Sequence, residues 1–238
     1  MNKFSGNLLS ARHHLHKHQV NHIITNSQYY LLKQYNDFDL TEYYNNGQHN
    51  KLITFCKDHT VLDHFYKHVN DVNLQNSLGK IPLHYVQYLP ENTSCKLIDN
   101  GSNVNLYDFD GLTPLHYASI HCQPYLIKYL VNNKANMESP TLDGYACRPI
   151  HFIAMRQEPY NLDLLRYMMD IGCDMYSKTT DDWTMAHYLH LYGSIDVIKY
   201  MRGCLDTSGK TSEGYYVDDL LELNNRVSEN DKNVLLKK

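Results

Sequence analysis

Apolar residues in the middle of the chain recur at the period of an α-helix, in short runs separated by polar and turn-forming residues. Side chains three and four positions apart lie on one face of a helix. Two runs show this spacing most clearly: Leu126, Ile127, Leu130 and Val131, and then Leu164, Leu165, Met168 and Met169. Each run predicts a short amphipathic helix.

A turn followed by a helix start stands ahead of the first run. Residues 110–116 read Asp-Gly-Leu-Thr-Pro-Leu-His. Asp-Gly favours a tight turn because both residues tolerate positive φ. Thr113 can cap a helix through its hydroxyl, and Pro114 suits the first helical position, where no N–H is needed. The segment therefore predicts a hairpin that leads into a helix.

This motif recurs along the chain. Versions of it occupy residues 79–84, 143–151 and 182–187, and the last residue of each version is a histidine. The four histidines are separated by 32, 35 and 36 residues. A tail also recurs ahead of each motif, at residues 71–73, 103–105, 135–137 and 173–175. A period in the thirties indicates a solenoid, in which each unit buries its face against its neighbours.

Period, turn, cap and tail together resemble the ankyrin repeat family. The resemblance implies an all-α fold, an α-solenoid of stacked helix–turn–helix repeats joined by short β-hairpin loops. It also implies that the recurrent histidines are structural and bond to neighbouring backbone and to the threonine hydroxyl. The residues that carry the repeat motif are Gly79, Pro82, His84, Gly111, Thr113, Pro114, His116, Gly144, Pro149, His151, Thr184 and His187.

The repeats define the expected domains. Residues 1–36 lack the motif and predict an N-terminal helical cap, and residues 37–205 form the repeat array. Its units are about 37–75, which is divergent, and then about 76–107, 108–140, 141–175 and 176–205. Residues 206–238 predict a linker, a short C-terminal helix and a polar tail.

Two of the units differ from the repeat motif in sequence. Asp182 stands in place of the turn glycine, and aspartate tolerates the left-handed region better than most residues. Two extra residues before Pro149 should lengthen that hairpin, and further residues around 157–160 should enlarge the loop between the two helices.

Composition narrows the function classes. The net charge of −4 and the pI of about 6.4 argue against a nucleic-acid partner, which requires a basic face. No apolar run approaches the length of about 18 residues that spans a membrane, and the N-terminus lacks a secretory signal. We therefore expect a cytoplasmic monomer without a membrane or nucleic-acid partner. The six scattered cysteines, with no C-x-x-C pair, indicate reduced, mostly buried thiols.

No motif in the chain carries catalysis or a cofactor. The sequence contains no glycine-rich phosphate loop, nucleophile elbow or H-E-x-x-H helix, and no spacing pairs a nucleophile with a base. We expect no enzyme activity, no cofactor and no metal.

Binding is therefore the expected function, and the chain is expected to act as a scaffold in protein–protein interaction. In a repeat solenoid the hairpin tips and the first helices form an extended concave surface. Tyrosine, tryptophan and arginine are enriched at binding hot spots, although each aromatic here could instead pack between repeats. The candidate contact residues are Tyr107, Phe109, Glu138, Leu142, Tyr145, Tyr176, Lys178 and Trp183 at the tips, and Tyr117, His121, Phe152, Arg156 and Tyr188 on the first helices.

Two alternatives remain open. The chain could be an adaptor that recruits a partner to other machinery such as a ubiquitin ligase. It could also have a metal-binding or enzymatic role centred on the N-terminal histidines His13, His14, His16, His18 and His22.

Overall fold

The computed structural model describes residues 71–156 and 161–236, and the chain divides into two units, residues 1–103 and 104–238. The expected N-terminal cap, the divergent unit as far as residue 70, the N-terminal histidines and the enlarged loop at 157–160 lie outside the described residues.

The described part of the first unit contains a 3-10 helix, Pro82–Tyr85, followed by helix α1, Glu91–Asp99. Pro82 starts the 3-10 helix, and Pro90 directly precedes α1. Leu83 and Leu97 are fully buried. The tail residue Asn73 bridges to the end of α1, because its side chain donates to Gly101 O at 3.0 Å. The short stretch between the two prolines explains why a 3-10 helix replaces a full α-helix here.

The second unit is a succession of helix pairs. Its helices are α2 Pro114–Ile120, α3 Pro124–Asn132, α4 Pro149–Met155, α5 Asn161–Asp170, α6 Met185–Tyr192, α7 Ile195–Arg202, α8 Val217–Leu223 and α9 Glu229–Leu236. The first helices of the pairs, α2, α4, α6 and α8, pack one on the next, and each also contacts the second helix of its own pair. The expected all-α repeat architecture is confirmed.

Apolar residues at helical spacing bury both helices of each pair. Leu115, Ile150 and Leu189 on the first helices are fully buried. On the second helices the predicted stripes also face inward, since Ile127 and Leu165 are fully buried. Full burial of one such side chain contributes about 1.5–3 kcal/mol, so each repeat depends on its neighbours for most of its stability.

A hairpin turn precedes each first helix, and a buried polar residue closes it. Asp108 accepts from the backbone N–H of Leu112 through its carboxylate at 2.9 Å, and its own N–H donates to Leu112 O at 2.9 Å. Equivalent side-chain bonds are made by Asn76, Thr141, Thr179 and Thr211. Every one of these residues lies three positions before the turn glycine or its replacement.

The hairpins of the second unit are bonded to one another. The N–H of Leu142 donates to Gly111 O at 3.1 Å, that of Thr180 donates to Tyr145 O at 3.0 Å, and that of Ser212 donates to Asp181 O at 3.0 Å. These bonds join four consecutive hairpins into one row.

The C-terminal segment differs from the expected linker and polar tail. Residues 211–216 form a further hairpin, in which the N–H of Thr211 donates to Tyr215 O at 2.9 Å, and α8 and α9 follow as another helix pair. Asp219 takes the place of the repeat histidine, because its carboxylate accepts from the N–H of Tyr216 at 2.8 Å. The absence of the histidine and the proline conceals this repeat in the sequence.

A turn position can require glycine because its φ is positive or because a neighbouring chain lies too close for a Cβ, and Gly111 and Gly144 differ in the second respect. Both have positive φ, 76° and 91°. A Cβ on Gly111 would lie 2.6 Å from the backbone N of Leu142, whereas a Cβ on Gly144 would have no heavy atom within 4 Å. Gly111 therefore permits both the turn and the close approach of the next hairpin.

We predict that Gly111→Ala lowers the free energy of unfolding by about 2–4 kcal/mol, because strain of the left-handed region adds to an overlap with the next hairpin. Gly144→Ala is the matched control and should cost only the strain, about 1–2 kcal/mol. Urea unfolding followed by circular dichroism measures both. Equal losses in the two variants would contradict the close packing of these hairpins.

Candidate functional site

The recurrent histidines bond to the start of their own helix, and two of them also bond to the next repeat. The backbone N–H of Thr113 donates to Nδ1 of His116 at 3.0 Å, and Nε2 of the same ring lies 3.3 Å from Cys147 O in the following hairpin. His151 repeats this arrangement, with Nδ1 accepting from the N–H of Arg148 at 2.9 Å and Nε2 lying 3.0 Å from Ser177 O. His84 and His187 make the same Nδ1 bond.

These bonds determine the tautomer of the ring. A backbone N–H can only donate and a carbonyl oxygen can only accept, so Nδ1 is unprotonated and Nε2 carries the hydrogen. The hydroxyl of Thr113 also lies 2.8 Å from Nδ1 of His116. Burial lowers the pKa of His116 and of His151 to about 4, against bonds to backbone carbonyls that raise it. Neutral, buried rings with both nitrogens engaged are structural and are not placed to act as general bases.

The other motif residues lie where the pattern puts them. Gly79 has a φ of 72°, and Asp182, in place of the glycine, has a φ of 61°. Pro149 begins α4, and the hydroxyl of Thr184 lies 2.8 Å from Nδ1 of His187. The hairpin before Pro149 is longer than the others, since the N–H of Thr141 pairs with Cys147 O six positions on.

Several candidate contact residues pack within the repeat framework. Tyr117 is buried and donates to the Asp108 carboxylate at 2.8 Å. The ring of Phe152 meets His116 edge-on at 5.9 Å, and the ring of Tyr188 lies 5.6 Å from His151. The half-buried ring of Trp183 lies 5.0 Å from Tyr188. Phe152 and Tyr188 thus link one repeat to the next, whereas Tyr117 and Trp183 contact residues of their own repeat.

Other candidates make polar contacts on the hairpins. The hydroxyl of half-buried Tyr107 donates to Pro140 O at 3.1 Å. Glu138 accepts from the N–H of Asp174 at 2.9 Å and pairs with Arg148 at 3.5 Å. Tyr107 and Glu138 thus connect successive repeats, whereas exposed Lys178 pairs with Asp182 of its own hairpin at 3.0 Å.

His121 and Arg156 lie at the C-terminal ends of α2 and α4. His121 is exposed and Arg156 is half-buried. Burial, with a smaller contribution from the positive charge of Arg156, lowers the pKa of His121. We therefore expect His121 to be neutral at physiological pH.

The remaining candidates project into solvent from the hairpins. The exposed fraction is 76% for Phe109, 64% for Leu142, 61% for Tyr145 and 55% for Tyr176. We call these four residues the tip surface. Side chains this exposed gain little from the core, and all four belong to the hairpins.

Sequence reasoning missed the carboxylates of this row. An exposed acidic side chain directly precedes the turn glycine or its replacement in each of the four hairpins of the second unit: Asp110, Asp143, Asp181 and Glu213. We call these the tip carboxylates. The signal was present in the sequence as one acidic residue per repeat at a fixed position.

The two buried thiols of the second unit, Cys147 and Cys173, lack the setting of reactive cysteines. Burial raises the pKa of both Cys147 and Cys173, and nearby carboxylates raise that of Cys173 further. Cys204 is exposed. Within residues 71–156 and 161–236, no three His, Cys, Asp or Glu side chains group as a metal site requires, and no helix there is long and apolar enough to cross a membrane.

Comparison with known protein families identifies the repeats. Residues 50–141 match the family described as Ankyrin repeats (3 copies). The repeats therefore indicate a protein-interaction module, in agreement with the histidine and turn geometry.

Curated relatives share parts of the chain. It is 28% identical over 115 residues to Palmitoyltransferase AKR1 of Saccharomyces cerevisiae, which is 48% of this chain and 14% of that protein. It is 24% identical over 98 residues to Tyrosine-protein kinase Shark of Drosophila melanogaster, 41% of this chain and 10% of that protein. The chain thus spans a small part of these larger relatives.

The Putative ankyrin repeat protein FPV223 of Fowlpox virus is matched over nearly its whole length. It is 24% identical over 163 residues, which is 63% of this chain and 96% of that protein.

The buried histidines predict acid sensitivity. A folded-state pKa of about 4 against 6.5 in the unfolded chain means that the unfolded state binds more protons between these values. The histidine contribution to stability is then complete above pH 6.5 and is lost as the pH falls toward 4, by about 3 kcal/mol for each ring.

We predict that the free energy of unfolding, measured by urea titration, falls steadily from about pH 7 to about pH 4.5. His151→Asn should be less stable at neutral pH and should lose less stability on acidification, because one titrating ring is gone. Equal pH dependence of the variant and the natural chain would contradict the role assigned to His151.

Proposed function

We propose that this chain, whose residues 50–141 match ankyrin repeats, binds a protein partner through the tip surface, without catalysis. The observation that carries the proposal is the division among its candidate residues. Tyr117, Phe152 and Tyr188 pack within the framework, whereas Phe109, Leu142 and Tyr145 have no such role and remain in solvent.

The rigidity of the hairpin row favours this proposal. Backbone hydrogen bonds from Leu142 to Gly111 and from Thr180 to Tyr145 hold neighbouring tips in fixed positions. A partner therefore meets apolar side chains whose backbone is already ordered, and binding does not have to offset the loss of much conformational entropy. Exposed tyrosine and phenylalanine on an ordered backbone are typical of binding hot spots.

The proposal includes no catalytic step because the recurrent histidines are structural. The rings that recur in the sequence are buried, and His116 and His151 use both nitrogens in backbone hydrogen bonds. A general base needs an accessible lone pair close to its substrate. The proposal accordingly assigns these residues to the framework and the function to the exposed tips.

Electrostatics favours a protein as the partner over a nucleic acid. The tip surface is interleaved with carboxylates at positions 110, 143, 181 and 213, which would repel a phosphate backbone. Apolar side chains beside polar ones suit a protein interface with an apolar centre and a polar rim.

The adaptor alternative has no specific support in the described residues. The C-terminal segment packs on α6 as a further repeat, and its apolar residues Val217, Leu220 and Leu221 are buried. The same alternative predicts a ligase component among captured proteins, so the experiment below also addresses it.

The test compares three baits in affinity capture read by quantitative mass spectrometry. The first is the natural chain, and the second carries Phe109→Ser, Leu142→Ser and Tyr145→Ser. Tyr176 is left unchanged so that the two sets of substitutions match in number. The third carries Tyr125→Ser, Leu223→Ser and Val234→Ser, which are 56%, 63% and 64% exposed and lie outside the hairpins.

We predict proteins that the first and third baits retain equally and that the second bait loses at least about tenfold, because truncating hot-spot residues costs more than about 1 kcal/mol each. Circular dichroism and urea unfolding should show all three baits folded, since every changed side chain is exposed. Capture of the same proteins at the same level by the second bait would refute binding through the tip surface.

A further inference from the structure

The tip carboxylates lie among the exposed apolar residues of the hairpin row. Asp110 follows Phe109, and Asp143 follows Leu142 and lies two positions before Tyr145. The backbone bonds from Leu142 to Gly111, from Thr180 to Tyr145 and from Ser212 to Asp181 place the four hairpins side by side. The result is an ordered surface that alternates apolar side chains with negative charge.

Basic side chains on the same hairpins are already engaged. Lys178 pairs with Asp182 at 3.0 Å, and Lys210 lies 5.3 Å from the centre of the Tyr216 ring. Arg148 is half-buried and pairs with Glu138 at 3.5 Å. Asp181 and Glu213, in contrast, form no ion pair within the described part of the chain. Acidic side chains therefore outnumber basic ones on the described hairpins of the second unit, and this excess of negative charge includes the unpaired Asp181 and Glu213.

The second helices show no such excess. Their exposed charges are of both signs, and several are paired: Arg166 lies 3.6 Å from Asp163, and Lys199 lies 3.0 Å from Asp231 on α9. Lys128 lies 5.0 Å from the centre of the Tyr167 ring, and the guanidinium of Arg166 lies 4.1 Å from that of Tyr200. Within the described part of the second unit, the excess of acidic side chains is thus found on the hairpins and not on the second helices.

We propose that the partner of the tip surface is a basic protein segment, in which lysine or arginine side chains alternate with aromatic or aliphatic ones. This inference rests on the proposed function and gives the chemistry of its partner. Apolar residues of the segment would bury Phe109, Leu142 and Tyr145, and its cations would meet the tip carboxylates. Complementary charge at such a rim speeds association and excludes partners of the wrong sign.

Selection from a library of short random linear peptides displayed on phage tests this chemistry without knowledge of the natural partner. The natural chain, residues 1–238, is the bait, and every enriched peptide is then synthesised and measured against four proteins by fluorescence polarisation. These are the natural chain, the tip variant Phe109→Ser, Leu142→Ser and Tyr145→Ser, and two charge variants.

The charge variants are matched in composition. The tip charge variant carries Asp110→Asn, Asp181→Asn and Glu213→Gln. Asp143 is retained because it accepts from the hydroxyl of Thr141 at 2.7 Å and from the N–H of Tyr145 at 3.0 Å. The control charge variant carries Asp170→Asn, Asp196→Asn and Glu222→Gln, which are exposed and lie on α5, α7 and α8. Both variants change the net charge equally, so a difference between them reports position.

The proposal predicts that peptides which depend on the tip surface are enriched in lysine and arginine and contain aromatic or aliphatic residues. The tip charge variant should bind them on the order of tenfold more weakly than the control charge variant. Raising the salt from about 0.05 M to about 0.5 M should weaken binding to the natural chain and largely remove this difference.

The outcomes separate the two proposals. Tip-dependent peptides that are neutral or acidic, or that bind both charge variants equally, would overturn the basic partner and leave the proposed function standing. A selection that yields no peptide dependent on Phe109, Leu142 and Tyr145 would overturn both. Urea unfolding of each variant establishes that a weaker affinity reflects a change at the surface and not loss of the fold.

Discussion

In two consecutive repeats a buried imidazole determines how the next repeat is placed. In His116 and His151 the Nδ1 atom accepts from the backbone at the start of its own helix, and the Nε2 atom bonds to a carbonyl oxygen of the following turn. The ring must be neutral and in a single tautomer to make both bonds, and burial favours the neutral form. The same bonds therefore satisfy a backbone N–H at the start of the helix and orient the following turn. They also make the fold sensitive to acid, because a protonated ring cannot accept the first of them.

The exposed tips depend on this arrangement. Because the imidazoles and the ring contacts of Phe152 and Tyr188 fix the spacing of the helices, the hairpins between them can bond to one another through backbone groups. The exposed side chains of Phe109, Leu142 and Tyr145 then have no role in the framework. The residues that recur in every motif thus hold the repeats together, whereas the exposed tip residues, which differ between repeats, are the ones proposed to bind the partner.

The sequence predicted much of the fold because its signals are local. The turn, the cap and the apolar stripe each depend on a few neighbouring residues, and the histidine period identified the repeats. The last repeat was missed because Asp219 replaces the histidine and no proline begins α8. The position of Thr211, three residues before Gly214, matches Asp108 and Gly111 and would have revealed it. The sequence could not predict which aromatic side chains are buried. Tyr117 is buried and Tyr145 is exposed, and the difference depends on neighbours that are distant in the sequence.

The central claim is that a protein partner contacts the hairpin tips and leaves the second helices free. Backbone amide NMR of the chain with and without a bound peptide from the selection tests it most directly. The account predicts that the largest chemical shift changes fall in residues 109–111, 142–145 and 180–182, and that α3, α5 and α7 change little. Large changes confined to those three helices, with the hairpin signals unmoved, would contradict it.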